Sequence, residues 1–253
     1  MPATTEETRV AVHYTLDGPV ATIALDGHGA RNALAAADGA ELNARLGEFD
    51  ATPAATACIL RGAAGGHFSA GTPDGEACAR APVYRPAKPV IAAISGDCLG
   101  EALVLVAQAS DVRIAGESAR FGFPGNDGLG SLLVRSRLLP QMPYAPLMSM
   151  LLGGEPIDAR EALRIGLVTQ VVPDAELYAR AREVARRVDR LPPLTTRLEK
   201  TAILACEHLN AADTVYFAWA FDCMTHRHPD GLEGVSSWIE KREPRFWRFE
   251  VEA

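Results

Sequence analysis

The sequence predicts an α/β chain, a mostly parallel sheet core followed by a helical C-terminal part. Two observations carry this. Short apolar runs bounded by Gly, Pro and Asp alternate with helical patterns as far as about residue 130, the order expected of crossover βαβ units. Beyond that point helical patterns dominate, interrupted by one short apolar run. With 253 residues, 48% of them hydrophobic and 23% charged, the chain can bury a real core in one or two domains.

The elements follow in order. Residues 10–14 and 20–25 read as strands joined by the turn signal Asp17-Gly18-Pro19, a hairpin. Asn32 is placed to cap a helix running to about Phe49. Residues 57–60 and 89–94 are apolar strands, with glycine-rich loops at 62–66 and 69–71 between them. A helix over 99–108 and a strand over 112–114 come next. Helices are expected over 131–139, 144–152, 158–165, 175–188, 193–206 and 211–225, with a strand at 167–172. Asp158 with Glu161 forms a near capping box, and Gly166 stops that helix. No repeat of fixed period and no low-complexity linker is present.

Composition narrows the function classes. A net charge of −7 and the lack of any Lys/Arg-rich run argue against nucleic-acid binding. Five cysteines, an odd count without CxxC spacing, suggest neither a disulfide framework nor a zinc site, and fit a reducing cytoplasm. The polar first nine residues do not read as a secretory signal, and the longest apolar run is far too short to span a bilayer.

Common catalytic motifs fail in turn. There is no GxxxxGK[ST] loop, no GxGxxG between a strand and a helix, no GxSxG elbow and no HExxH. His226 and His228, flanking Arg227, read as surface decoration on a loop. What remains is a pair of loops. Residues 67–72 follow a strand, and residues 92–101 run from a strand into a helix start. Free N–H groups at a helix start attract negative charge, and one donor from each loop would hold a developing oxyanion. Both segments also fit ordinary βα turns.

Several motifs, in one order along the whole chain, match a known family. They are Arg31-Asn-Ala-Leu34, His67-Phe-Ser-Ala-Gly71, Lys88-Pro-Val-Ile-Ala-Ala93, Gly96 to Gly100, Asp111-Val-Arg-Ile114, Ala119-Arg-Phe-Gly122, Ile157-Asp-Ala-Arg-Glu-Ala162 with Gly166-Leu-Val168, and the ending around Glu233-Gly234 and residues 240–246. The chain thereby resembles the enoyl-CoA hydratase/isomerase (crotonase) superfamily. That resemblance implies a ClpP/crotonase-like fold of repeated ββα units with a C-terminal helical trimerisation region. It divides the chain into a core with an acyl-CoA pocket over 1–190 and an oligomerisation region over 191–253. It implies an acyl-CoA thioester as partner, with coenzyme A carried as part of the substrate and no separate cofactor or metal. A homotrimer or homohexamer in the cytoplasm, serving fatty acid metabolism, is expected, with neither a nucleic acid nor a membrane as partner.

The resemblance also assigns site residues. The oxyanion donors fall on the backbone N–H groups of Thr72 and Glu101. Coenzyme A would lie along Arg31, Ala33, Ser69, Ala70 and Gly71, with Lys241 or Arg242 reaching phosphates, including those in a neighbouring subunit. The family's hydratases carry two catalytic glutamates; here those places hold Val104 and Gly125, which exchange no proton. The family's Gly-Gly-Gly run reads Gly100-Glu101-Ala102. Glu101 and Asp127 are the leading substitutes for the lost carboxylates, with Asn126, Asp74 and His67 nearby in sequence. Three plain readings stand beside these: Glu101 complements the helix dipole, Asp127-Gly128 is only a turn, and His67 is a buried loop residue. The expected activity is that of a hydratase/isomerase-family enzyme with relocated acid–base groups. A decarboxylase or thioesterase of the same superfamily, or a non-catalytic acyl-CoA carrier, is the alternative.

Overall fold

A computed structural model of the protein describes residues 12–27, 29, 31–63, 66–71, 84–124, 138, 141–207 and 209–246. The predicted hairpin forms between β1 (Val12–Asp17) and β2 (Val20–Leu25), with Gly18 at φ 57° in the turn. Parallel strands then add in order: β3 (Ala57–Gly62), β4 (Val90–Ile94), β6 (Val112–Gly116) and β9 (Gln170–Val172). The result is a six-stranded sheet ordered β1-β2-β3-β4-β6-β9. A second sheet of three short strands, β5 (Asp97–Leu99), β7 (Arg120–Gly122) and β8 (Ile157–Asp158), branches off beside it. Sequence reading missed this sheet because its strands span only two or three residues, too few for a period.

Alternation along the strands divides the core in two. Cys58, Leu60, Val90, Ala92 and Ile94 face one cluster with α1 (Ala36–Ala51) and α2 (Glu101–Ala109). Ala57, Ile59, Ile91 and Ala93 face the other, beneath α5 (Leu177–Asp189). Both faces of the parallel strands are thus covered, which explains why they read as continuous apolar runs. From Ala102 to Ala109 every residue of α2 is buried. An all-round apolar helix of this kind belongs in a core, and it holds its N-terminus in a fixed place.

The remaining helices are α3 (Tyr144–Gly153), α4 (Ala159–Arg164), α6 (Pro193–Cys206), α7 (Ala211–Arg227) and α8 (Pro229–Glu240). The Asp158 carboxylate caps α4, accepting from Glu161 N–H at 2.8 Å as its spacing predicts. Sequence reading did not anticipate α8. His228 was expected on a loop surface; its ring instead accepts from Asp230 N–H at 3.3 Å at the start of α8, with its side chain 14% exposed. His226 is exposed at the end of α7, paired with Asp222. The helix expected over 131–139 lies outside the described residues apart from Leu138.

Two lysines, Lys88 buried and Lys200 largely so, tie helices to the sheet's entry edge. Lys200 on α6 donates to Asp111 Oδ2 at 2.7 Å and to Lys88 O at 2.9 Å, and Asp111 also accepts from Val90 N–H. Lys88 Nζ donates to Phe49 O at 3.2 Å and Thr52 O at 2.6 Å, closing the C-terminus of α1. Burial, with Arg197 adding to it and Asp50 opposing, lowers the Lys88 pKa to about 8. An unfolded lysine keeps its proton up to about pH 10.4. The cost of Lys88 is therefore full below pH 8 and fades as pH rises toward the unfolded value. Urea denaturation of wild type and Lys88→Met is expected to show wild type gaining on the variant by up to about 3 kcal/mol between pH 7.5 and 10.5. A pH-independent difference would contradict that assignment.

Candidate active site

The site is built from three segments held side by side by their own backbones. Residues 66–71 leave β3 and run along the segment leading into α2. Phe68 N–H donates to Ser95 O at 2.7 Å, Ser69 N–H to Asp97 O at 2.8 Å, and Leu99 N–H back to Ser69 O at 3.1 Å. Residues 31–34 close the other side: Ala70 N–H donates to Arg31 O and Leu34 N–H to Gly71 O, each at 2.9 Å. Gly100 N–H is held by Gly122 O across the small sheet at 2.8 Å.

Two glycines make this approach possible. Gly71 has φ 86°, and a Cβ there would lie 2.9 Å from Leu99 O and 3.7 Å from Glu101 N. Its bare Cα therefore sits against the first amide of α2. Gly100, at φ 55° and ψ −126°, turns the chain into that helix. Both conformations are strained for residues with a side chain. The first-turn amides of α2, from Glu101 onward, begin beside the 66–71 loop and carry the partial positive charge of a helix start.

Asn32 fixes the corner, a role sequence reading did not give it. It was expected to cap α1, but α1 begins at Ala36, with the Asp38 carboxylate accepting from Ala35 N–H at 2.6 Å. Asn32 instead adopts φ 55°, a left-handed conformation that asparagine tolerates. Its amide accepts from Gly27 N–H and donates to Leu25 O at 3.0 Å and Phe68 O at 2.6 Å. A buried side chain thus staples the end of β2 to the loop.

Of the residues singled out from the sequence, Arg31, Ala33, Ser69, Ala70, Gly71 and Glu101 are brought together here. Thr72 and Asp127 lie outside the described residues, as do Asp74, Gly125 and Asn126. Lys241 is exposed at the C-terminal end of α8, with φ 54°. Arg242 donates to Glu233 and Glu240, and its hydrogen bond to Glu233, together with the one Glu233 accepts from Arg245 N–H, pulls the Glu233 carboxyl down to about 2. His67 is not the buried residue expected: its side chain is 34% exposed and its ring rests on Asp97. Val104 is buried among the apolar residues of the α2 core, so no proton donor stands there. Ser69 Oγ accepts from Gly71 N–H at 3.1 Å. Burial raises the Cys98 thiol, so this cysteine beside the loop is no thiolate nucleophile.

The sequence model of a family described as enoyl-CoA hydratase/isomerase matches residues 16–248. The chain belongs to that family. Among curated relatives, it is 31% identical to (E)-benzylidenesuccinyl-CoA hydratase of Thauera aromatica over 97% of this chain and 99% of that one. It is 31% identical to enoyl-CoA hydratase EchA19 of Mycobacterium tuberculosis over 78% of this chain and 81% of that one. Solved structures agree on the fold. An enoyl-CoA hydratase/isomerase from Mycobacterium paratuberculosis aligns with a TM-score of 0.83 at 27% identity, covering 94% of this chain and 98% of that one. An enoyl-CoA hydratase from Mycobacterium tuberculosis gives 0.85 at 25% identity, covering 94% and 99%. The mixed α/β architecture is therefore the crotonase fold, as the motifs implied.

Because a Cβ at Gly71 would lie only 2.9 Å from Leu99 O, Gly71→Ala is expected to force the two segments apart. A loss of about 1–3 kcal/mol in stability and a sharp drop in acyl-CoA affinity should follow, read by thermal denaturation and calorimetry. Unchanged affinity would show that this contact does not shape the binding site.

Proposed function

We propose that the protein is an enzyme that binds an acyl-CoA thioester, with its carbonyl oxygen between the backbone N–H groups of Thr72 and Glu101. The observation that carries this reading is Gly71, whose bare Cα brings the loop leading to Thr72 against the first amide of α2. Two such donors would stabilise the negative charge that grows on the carbonyl oxygen in an enolate or tetrahedral intermediate. One donor of this kind is worth about 3–4 kcal/mol at the transition state. Both curated relatives described above carry names of hydratases acting on CoA thioesters. Coenzyme A would run along Arg31, Ala33 and Ser69 to Gly71, with Lys241 reaching a phosphate.

The acid–base groups are relocated in this reading. Val104 and Gly125 stand where the family's hydratases carry glutamate, and Glu101 and Asp127 replace them. Glu101 is the first residue of α2, so its carboxylate is attached beside the second proposed donor. Hydration and double-bond isomerisation each need such a base. Decarboxylation needs least, because loss of CO2 itself creates the carbanion that the two amides hold. The buried Val104 also favours a second reading, an acyl-CoA carrier without turnover.

Turnover of crotonyl-CoA and of malonyl-CoA, in wild type, Glu101→Gln and Asp127→Asn, separates the readings. The enzyme reading expects turnover of one thioester by wild type and a loss of about 100-fold or more in kcat in one variant, with binding kept. Tight binding without turnover of either thioester would favour the carrier.

A homotrimer or homohexamer is part of the proposal. Tyr216, Trp219, Leu232 and Trp238 on α7 and α8 are between 67% and 81% exposed, an apolar surface that a second copy would cover. Sedimentation equilibrium is expected to give three or six chains, and a monomer at micromolar concentration would refute this part.

A further inference from the structure

Asp97 lies on β5, three residues before the turn at Gly100, and its side chain is only 10% exposed. Its main chain pairs with Ser69, and its carboxylate faces two partners. Arg31 Nε donates to Asp97 Oδ2 at 2.7 Å. His67 Nδ1 lies 3.1 Å from the same oxygen and 2.9 Å from Asp97 N. The neutral imidazole accepts from Asp97 N–H; the protonated ring donates to the carboxylate. His67 is therefore held in either state. A Cβ at Gly96 would lie 2.9 Å from His67 Nδ1, so the ring also needs glycine there.

The three residues belong to the three segments of the site: Arg31 to 31–34, His67 to 66–71, and Asp97 to the strand entering α2. Backbone bonds already join neighbouring segments in pairs. The carboxylate gathers all three at one atom, and the Arg31 charge compensates its burial. We propose that Asp97 is a positioning residue, acting through Arg31 and His67 to hold the 66–71 loop in place against the first amide of α2. This rests on the thioester reading above. Misplacing a donor by about 1 Å costs on the order of 100-fold in a well-oriented site.

Acetoacetyl-CoA tests the role without presupposing the natural reaction. Its ionisation releases the C2 proton to buffer and leaves an enolate that absorbs in the near-ultraviolet. Wild type is expected to bind it and raise the enolate fraction. Asp97→Ala should keep affinity within about threefold yet lower the enolate per bound ligand about tenfold, a shift of one unit in apparent ionisation pH. Asp97→Asn, which keeps an oxygen for Arg31, should recover part of the signal. A merely structural Asp97 predicts a lower melting temperature with the enolate signal per bound ligand unchanged, and that result would overturn the proposal. Should Asp97→Ala fail to fold, His67→Ala, which removes a partly exposed side chain, is expected to lose about threefold; no loss would overturn the proposal equally. If wild type itself binds no thioester, or binds it without enolate, the oxyanion reading falls and takes this role with it.

Discussion

Close approach of the 66–71 loop to the first amide of α2 is the constraint on which the rest of the structure turns. A loop and a helix start can lie this near only where no Cβ intervenes. Gly71 and Gly100 meet that condition with backbone conformations that other residues adopt at a cost. The loop then has little choice of path. Ser69 pairs with Asp97 and Leu99 on one side, while Ala70 and Gly71 pair with Arg31 and Leu34 on the other. Each backbone polar group used in this way is one that water no longer satisfies, so the seam is stable only when complete.

The core exists to hold that seam still. Helix α2 is buried on every side from its second residue on, so its N-terminus cannot tilt without disturbing both sheets. Helix α1 is closed by Lys88, and α6 is locked by Lys200 onto Asp111. Burial depresses both lysines, a cost accepted where a carbonyl or carboxylate partner is fixed in place. These ties sit at the edge of the sheet where the parallel strands begin. The site sits beyond their far ends, where ligands of open α/β sheets commonly bind.

Much of this was legible from residue order. The Asp17-Gly-Pro turn, the strands at 20–25 and 57–60, the Asp158 cap and the Gly166 stop are local events whose physics is contained in a few neighbouring residues. The family likeness was legible too, because short motifs at consistent separations need no three-dimensional knowledge. The small sheet, the α8 helix and the true start of α1 were not. Two- and three-residue strands carry no period, and α8 starts on a His228 cap in a segment that reads as loop. Asn32 resembles a cap in isolation; only the presence of Gly27, Leu25 and Phe68 around it turns its amide inward.

By itself the sequence determined the class of the fold, the family, and the fact that Val104 and Gly125 cannot move a proton. Tertiary structure decided which of the named residues meet. It placed Arg31, Ser69, Gly71 and Glu101 in one corner and joined Arg31, His67 and Asp97 across three segments. The division has a physical cause. Covalent neighbours set local dihedral choices, whereas a site is a set of through-space contacts between residues distant in the chain. Their geometry follows only once the core has packed.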